Sequence, residues 1–225
     1  MNRLRQLLTI AEMQGRDLLR RRGALLMLAA MPLAFYFALL GKGGYAITTG
    51  GVGMAFSVSG AALFSMLAAK RIEPRLVLAG YRPLDLLLGR LLLLEALGLV
   101  IVLLTTALMT VVSRPPHPGF VLAGIALTVW VAVPLGLAIA TLIARELEGV
   151  LAAIAVVGVQ LSLPIDSPAA PFLPLYGPLQ ILAHGGGIHA SLLAGAGAGL
   201  GYGAALLGVA TLAWRFRLRM LPATR

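Results

Sequence analysis

Two ionisable side chains stand inside one long apolar run, Arg90 about one turn in from its charged edge and Glu95 deeper. A carboxylate in hydrocarbon is costly unless it is paired, protonated or facing water. Glu95 is therefore a functional candidate, with a structural pair to Arg90 or to a neighbouring helix as the alternative. Arg90 lies close enough to the edge to snorkel its guanidinium to the interface and orient the run. Gln160, in another apolar run, is a weaker candidate of the same kind as Glu95.

Other chemistries lack their residues. A phosphate cradle for ATP needs a glycine-rich turn closed by Gly-Lys-Ser/Thr. Gly41-Lys42-Gly43 comes nearest, with Tyr36 where the first glycine belongs and Gly43 where the hydroxyl belongs. His117, His184 and His189 all fall outside the apolar runs; His184 and His189 flank Gly185-Gly186-Gly187 and either meet at a metal or belong to a plain polar loop. A serine-hydrolase elbow is absent, since 53–57 reads Gly-Met-Ala-Phe-Ser. With no cysteine, disulfides and thiolate sites are excluded. The chain is expected to be no enzyme and to hold no metal or cofactor of its own.

The elements that position these residues are six apolar runs, 23–40, 47–69, 86–112, 120–144, 149–165 and 191–214. Crossing a ~30 Å hydrocarbon core takes roughly 20 apolar helical residues, so five runs are long enough and the fifth is short or oblique. Continuous apolar runs without alternation make helices and not a barrel. The expected fold is all-α: a polytopic membrane domain of six transmembrane helices over 23–214, with an N-terminal amphipathic interfacial helix over 1–22 and a basic tail over 215–225. Within 1–22, Leu4, Leu7, Leu8, Ala11, Leu18 and Leu19 fall near one face, and Arg5, Glu12, Arg16 and Asp17 elsewhere. That pattern fits a helix lying on the membrane surface, or a cap packed on other helices. The same stretch lacks the compact core and cleavage site of a signal peptide.

An even span count returns both termini to one side. All but Lys42 and Arg114 of the 18 lysines and arginines then lie on that side, which the positive-inside rule makes cytoplasmic. The expected location is the inner (plasma) membrane, multi-pass. Contact with anionic headgroups explains the net charge of +10 without a nucleic-acid partner. Thr48, Thr49, Ser57, Ser59 and Ser65 make the second run relatively polar and read as interhelical hydrogen-bonders. Gly195, Gly199 and Gly203, and likewise Gly197 and Gly201, recur every four residues, allowing close helix approach within the chain or between subunits.

Between the second and third runs, the loop 70–85 carries Glu73, Arg75, Tyr81 and Arg82 and an apolar Leu76-Val77-Leu78 able to seat a short helix; it leads into Asp85-Leu86-Leu87-Leu88-Gly89-Arg90. Further on come Arg145-Glu146-Leu147-Glu148, before the fifth run, and Pro171-Phe172-Leu173-Pro174-Leu175-Tyr176-Gly177-Pro178, inside the external loop 166–190. In these features the chain resembles the permease subunits of the type-2 ABC exporters. Those show a Glu-containing segment, a short helix, an acidic residue, an apolar run and Gly-Lys or Gly-Arg opening the third span, with a re-entrant hairpin between spans five and six. The family's proline before the acidic residue is displaced here: Gly80 stands in its place and Pro83 follows.

The resemblance implies a membrane subunit that pairs with a second permease subunit and docks a separate nucleotide-binding ATPase, which would bind the ATP and Mg. It implies that Glu73, Arg75, Tyr81 and Arg82 face that ATPase, and that Phe56, Phe64, Val157 and Gln160 line a substrate pathway. The apolar walls favour an amphipathic or lipid-like substrate. The alternatives are a haem-exporter-type membrane subunit, a non-transport scaffold and a lipid-modifying enzyme.

Overall fold

The computed structural model describes residues 12, 15, 22–70, 72–78, 80–143 and 145–219. The helices are α1 (Arg22–Ala38), α2 (Gly44–Ala69), α3 (Glu73–Leu78), α4 (Pro83–Ser113), α5 (Pro118–Leu142), α6 (Glu146–Ser162), α7 (Tyr176–Gly185) and α8 (Leu192–Arg219), with a single 3-10 turn at Ala170–Phe172 before α7. Glu12 and Gly15 are helical; the rest of the expected surface helix before Arg22, and the tail after Arg219, lie outside the described residues. Arg215 to Arg219 extend α8.

Each expected span is a helix, and among the described residues four are long and apolar enough to cross a membrane: α2, α4, α5 and α8. The described residues thus form an all-helical fold consistent with a membrane protein, with four candidate spans by length and composition. At 17 residues α6 measures only about 25 Å along the axis, short of a ~30 Å core, while α1 starts where the continuous described residues start. Pro118 opens α5 at a position where the missing N–H costs nothing, and Pro83 does the same for α4.

α5 is the centre of the bundle, packed by α2, α4, α7 and α8; α1 and α6 lie against α2. Because lipid is as apolar as leucine, such helices associate through close packing and hydrogen bonds. The closest approaches occur at glycine. A Cβ on Gly136 of α5 would strike the Ser59 carbonyl of α2, and one on Gly177 of α7 would strike the α8 backbone at Gly195 and Gly199. Gly199 and Gly203 face Leu127 and Trp130 of α5. Of the two glycine rows in α8, one thus serves packing within the chain, while Gly197 and Gly201 have open space before them.

Hydroxyl groups contribute less than expected between helices. Ser57 Oγ donates to the Leu28 carbonyl of α1 at 2.5 Å, joining α2 to α1. Thr48 and Thr49 bond the Tyr45 carbonyl of their own helix, and Ser59 that of Phe56. A hydroxyl that reaches the preceding turn needs no second helix, which composition alone does not distinguish.

Candidate functional site

The chain's charge chemistry gathers at the end of the bundle where α2, α5 and α8 finish and α4 begins. Lys70 Nζ donates to the Ile143 carbonyl at 3.2 Å, closing the end of α5. Trp214 Nε1 donates to the Pro83 carbonyl at 3.2 Å, fastening α8 to the start of α4. Between these two ties sits α3. It ends at Gly80 (φ 93), where Gly80 N–H reaches the Val77 carbonyl and Tyr81 N–H the Leu76 carbonyl, a Schellman closure that requires a left-handed residue.

Glu73 opens α3 and points inward. Its Oε1 accepts from Arg90 Nη2 of α4 at 2.6 Å, with both side chains only 2% exposed. Arg90 Nη1 approaches Met66 Sδ of α2 at 2.6 Å. One guanidinium fork thus binds α2, α3 and α4 together. This corrects two expectations. Arg90 does not snorkel to the interface, because a carboxylate meets it inside the protein. Glu73 does not present its charge outward, because the pair is worth more than its hydration once Arg90 is buried beside it. Arg75 and Arg82 are exposed and Tyr81 is partly so. Ile72 is 59% exposed and Leu78 88%, an unusual showing for leucine on so short a helix.

Glu95 gains no charge partner from Arg90. Its side chain is half-buried at the edge of the packed face of α4, and Oε1 is enclosed with no hydrogen-bond partner among the described residues.

The four pathway residues do not converge on one cavity within the chain. Phe56 lies half-buried against Phe35, ring centroids 5.7 Å apart. Phe64 is 51% exposed, while Val157 is fully buried. Gln160 is buried with its Oε1 accepting from Leu175 N–H at 2.5 Å. That bond ties α6 to the start of α7, a role invisible in sequence because it depends on how the 163–175 connection folds back. A crevice of about 10 Å³, room for roughly one water, lies there among Gln160, Leu163, Ile165, Ala170, Tyr176 and Leu179.

At the end opposite α3, α7 is sunk among α2, α5 and α8, with Leu182 and Ala183 wholly buried. Gln180 anchors the connection into α8, its Oε1 accepting from Ser191 N–H at 3.2 Å. His184 stacks on His117, not His189, with centroids 5.2 Å apart and planes 12° from parallel. Near-parallel imidazoles do not aim their lone pairs at one ion, and no group of three or more His, Asp or Glu suited to a metal occurs among the described residues.

No protein-family model matches the chain, and no curated protein is similar to it.

Proposed function

We propose that this chain is the transmembrane permease subunit of an ATP-driven exporter of the type-2 ABC kind, acting with a second permease subunit and a separate nucleotide-binding ATPase. The observation that carries the reading is the Glu73–Arg90–Met66 clasp. A short helix outside the membrane spans is locked to α2 and α4, while Arg75, Leu78 and Arg82 remain exposed on and beside it. A push on α3 would be transmitted as a rigid-body displacement of two long helices, as a coupling element requires. The ATPase would supply ATP, Mg and the hydrolytic chemistry; this chain would convert its closure into movement.

In this reading α1 and α6 complete six spans, α6 by local thinning of the bilayer, α7 is the re-entrant element, and both termini lie in the cytoplasm beneath the inner membrane. Phe64, with part of Phe56, borders a route formed between the two permease copies. Val157 packs behind that route and Gln160 positions α7. The substrate is amphipathic or lipid-like. A lipid-modifying enzyme would need clustered acidic or His groups at one depth, and the described residues bring together no more than the His117–His184 pair.

The orientation has a direct test, since the chain has no native cysteine. Asp166→Cys and His189→Cys, both exposed, should react with an impermeant maleimide added outside intact cells. Arg82→Cys, also exposed, should react only after the membrane is opened. The reverse pattern would overturn the orientation.

Docking is tested by Arg75→Glu and Arg82→Glu, which reverse charge on the exposed side of the α3 region without touching the clasp. Each should insert and fold as the parent does, yet weaken ATPase binding by about tenfold or more, about 1.4 kcal/mol. Parental ATPase binding and export by both variants would remove the coupling assignment. Glu73→Arg is no clean probe of that interface, because Glu73 is buried within the chain.

A further inference from the structure

Glu95 is the thirteenth residue of α4, about 18 Å along the axis from Pro83 and about 27 Å from Ser113, well inside the apolar length of that helix. On one side it borders the packed residues Leu91, Leu94 and Gly98. On the other, Leu92 is 55% exposed and Leu99 49%, surface that lipid would cover. The carboxyl therefore stands at a seam between protein and bilayer, open to a molecule arriving sideways through the membrane.

Among the described residues none offers it a counter-charge. Arg90, the nearest cation in α4, is held by Glu73. The helices α2 and α5 contain no Asp, Glu, Lys, Arg or His; the described cations of α8 stand in its last turns, and α1 has only Arg22, at its start. An unpaired carboxylate at this depth is costly, as is an enclosed oxygen lacking a hydrogen-bond partner. A ligand that removes both costs will be retained.

We propose that Glu95 is the binding site for a lipophilic amine taken from the bilayer. The free site holds the carboxylic acid. A neutral amine dissolved in the membrane accepts the Glu95 proton on its nitrogen lone pair, the O–H bond breaks as the N–H bond forms, and the resulting ammonium and carboxylate stay together as a pair with no net charge. Low dielectric strengthens that pair. An alcohol of equal chain length offers only one ordinary hydrogen bond. A quaternary ammonium cannot take the proton, so its binding requires a separate loss of that proton to water. As a binding site the proposal stands on the geometry of α4; as a statement about exported cargo it rests on the exporter reading.

The test uses the chain alone in phosphatidylcholine nanodiscs, treated with dicyclohexylcarbodiimide, which adds to protonated carboxyls in apolar surroundings and leaves a stable N-acylurea. Peptide mass spectrometry should find the adduct on Glu95 and not on the exposed Glu146 and Glu148. N,N-dimethyldodecylamine, a tertiary amine that forms no amide, should slow the labelling about tenfold when present at about ten times its Kd. Dodecanol, dodecyltrimethylammonium and nanodiscs of phosphatidylethanolamine should slow it less than about twofold by the same occupancy relation. The amine should also raise the Tm of the parent and not of Glu95→Gln, whose neutral amide keeps the side chain's shape. Absence of the adduct, equal protection by dodecanol, or an equal Tm rise in Glu95→Gln would overturn the proposal. No ATPase takes part, so the outcome is independent of whether a nucleotide-binding partner is found.

Discussion

Glu73→Leu is expected to destabilise the folded protein by about 3–5 kcal/mol, the range for breaking a buried ion pair from one side. The substitution leaves the Arg90 guanidinium 2% exposed with the Met66 sulfur as its remaining described contact. Arg90→Met, by removing the cation, should cost a similar amount. The double variant, with two apolar side chains in the same volume, should recover most of the loss, because a matched apolar pair removes the desolvation cost together with the attraction. Unfolding of all four proteins in one detergent, followed by helical signal, gives the cycle. Arg90→Lys should not rescue function, since a single ammonium lacks the fork that meets Glu73 and Met66 together. If Glu73→Leu unfolds at the parent's midpoint, the clasp does not hold α3 to the bundle.

The second large effect is steric. Gly136→Val and Gly177→Val should impair folding at or beyond the roughly 1–3 kcal/mol of ordinary overpacking, because their new side chains meet backbone that has no rotamer to change. At Gly136 the added Cβ also falls 2.8 Å from Ala62 Cβ, and at Gly177 it falls 2.7 Å from Gly199 Cα. Relief demands that α2 move from α5, or α7 from α8. Gly197→Val, facing open space on α8, is the control and should express and unfold as the parent does. Equal tolerance at all three positions, read from yield and chromatographic homogeneity, would contradict the helix packing described above.

The helical segments were legible because hydrocarbon demands long apolar runs, and runs broken by Gly, Pro and charge mark their own ends. Their ends in the structure agree within a few residues with the expected runs, except that α8 continues through Arg219. Their lengths were less legible: helical ends shift by a turn, which separates 17-residue α6 from an adequate span. Glu73 was misread because a charge in a short polar loop is ordinarily solvated, and only the approach of α3 to α4 turns it inward. Gln160 is a related case, since an amide in an apolar run fits a pathway as well as it fits a backbone N–H fifteen residues away. The two glycine rows of α8 were visible as spacing, but which row met a neighbour depended on the rotation of the helix. Glu95 was the reverse case. Its cost in hydrocarbon was plain from the outset, and the structure removed the Arg90 pair that would have made it ordinary.

The central claim is that this chain works as the membrane half of a two-component machine. Its most direct test is native mass spectrometry of the tagged chain, extracted from its own membrane in mild detergent, with ATP hydrolysis measured on the same sample. The expected result is two copies of this chain with two copies of a distinct chain bearing a phosphate cradle, hydrolysis by that assembly, and none by this chain alone. A homogeneous particle without any nucleotide-binding chain, active or not, would contradict it.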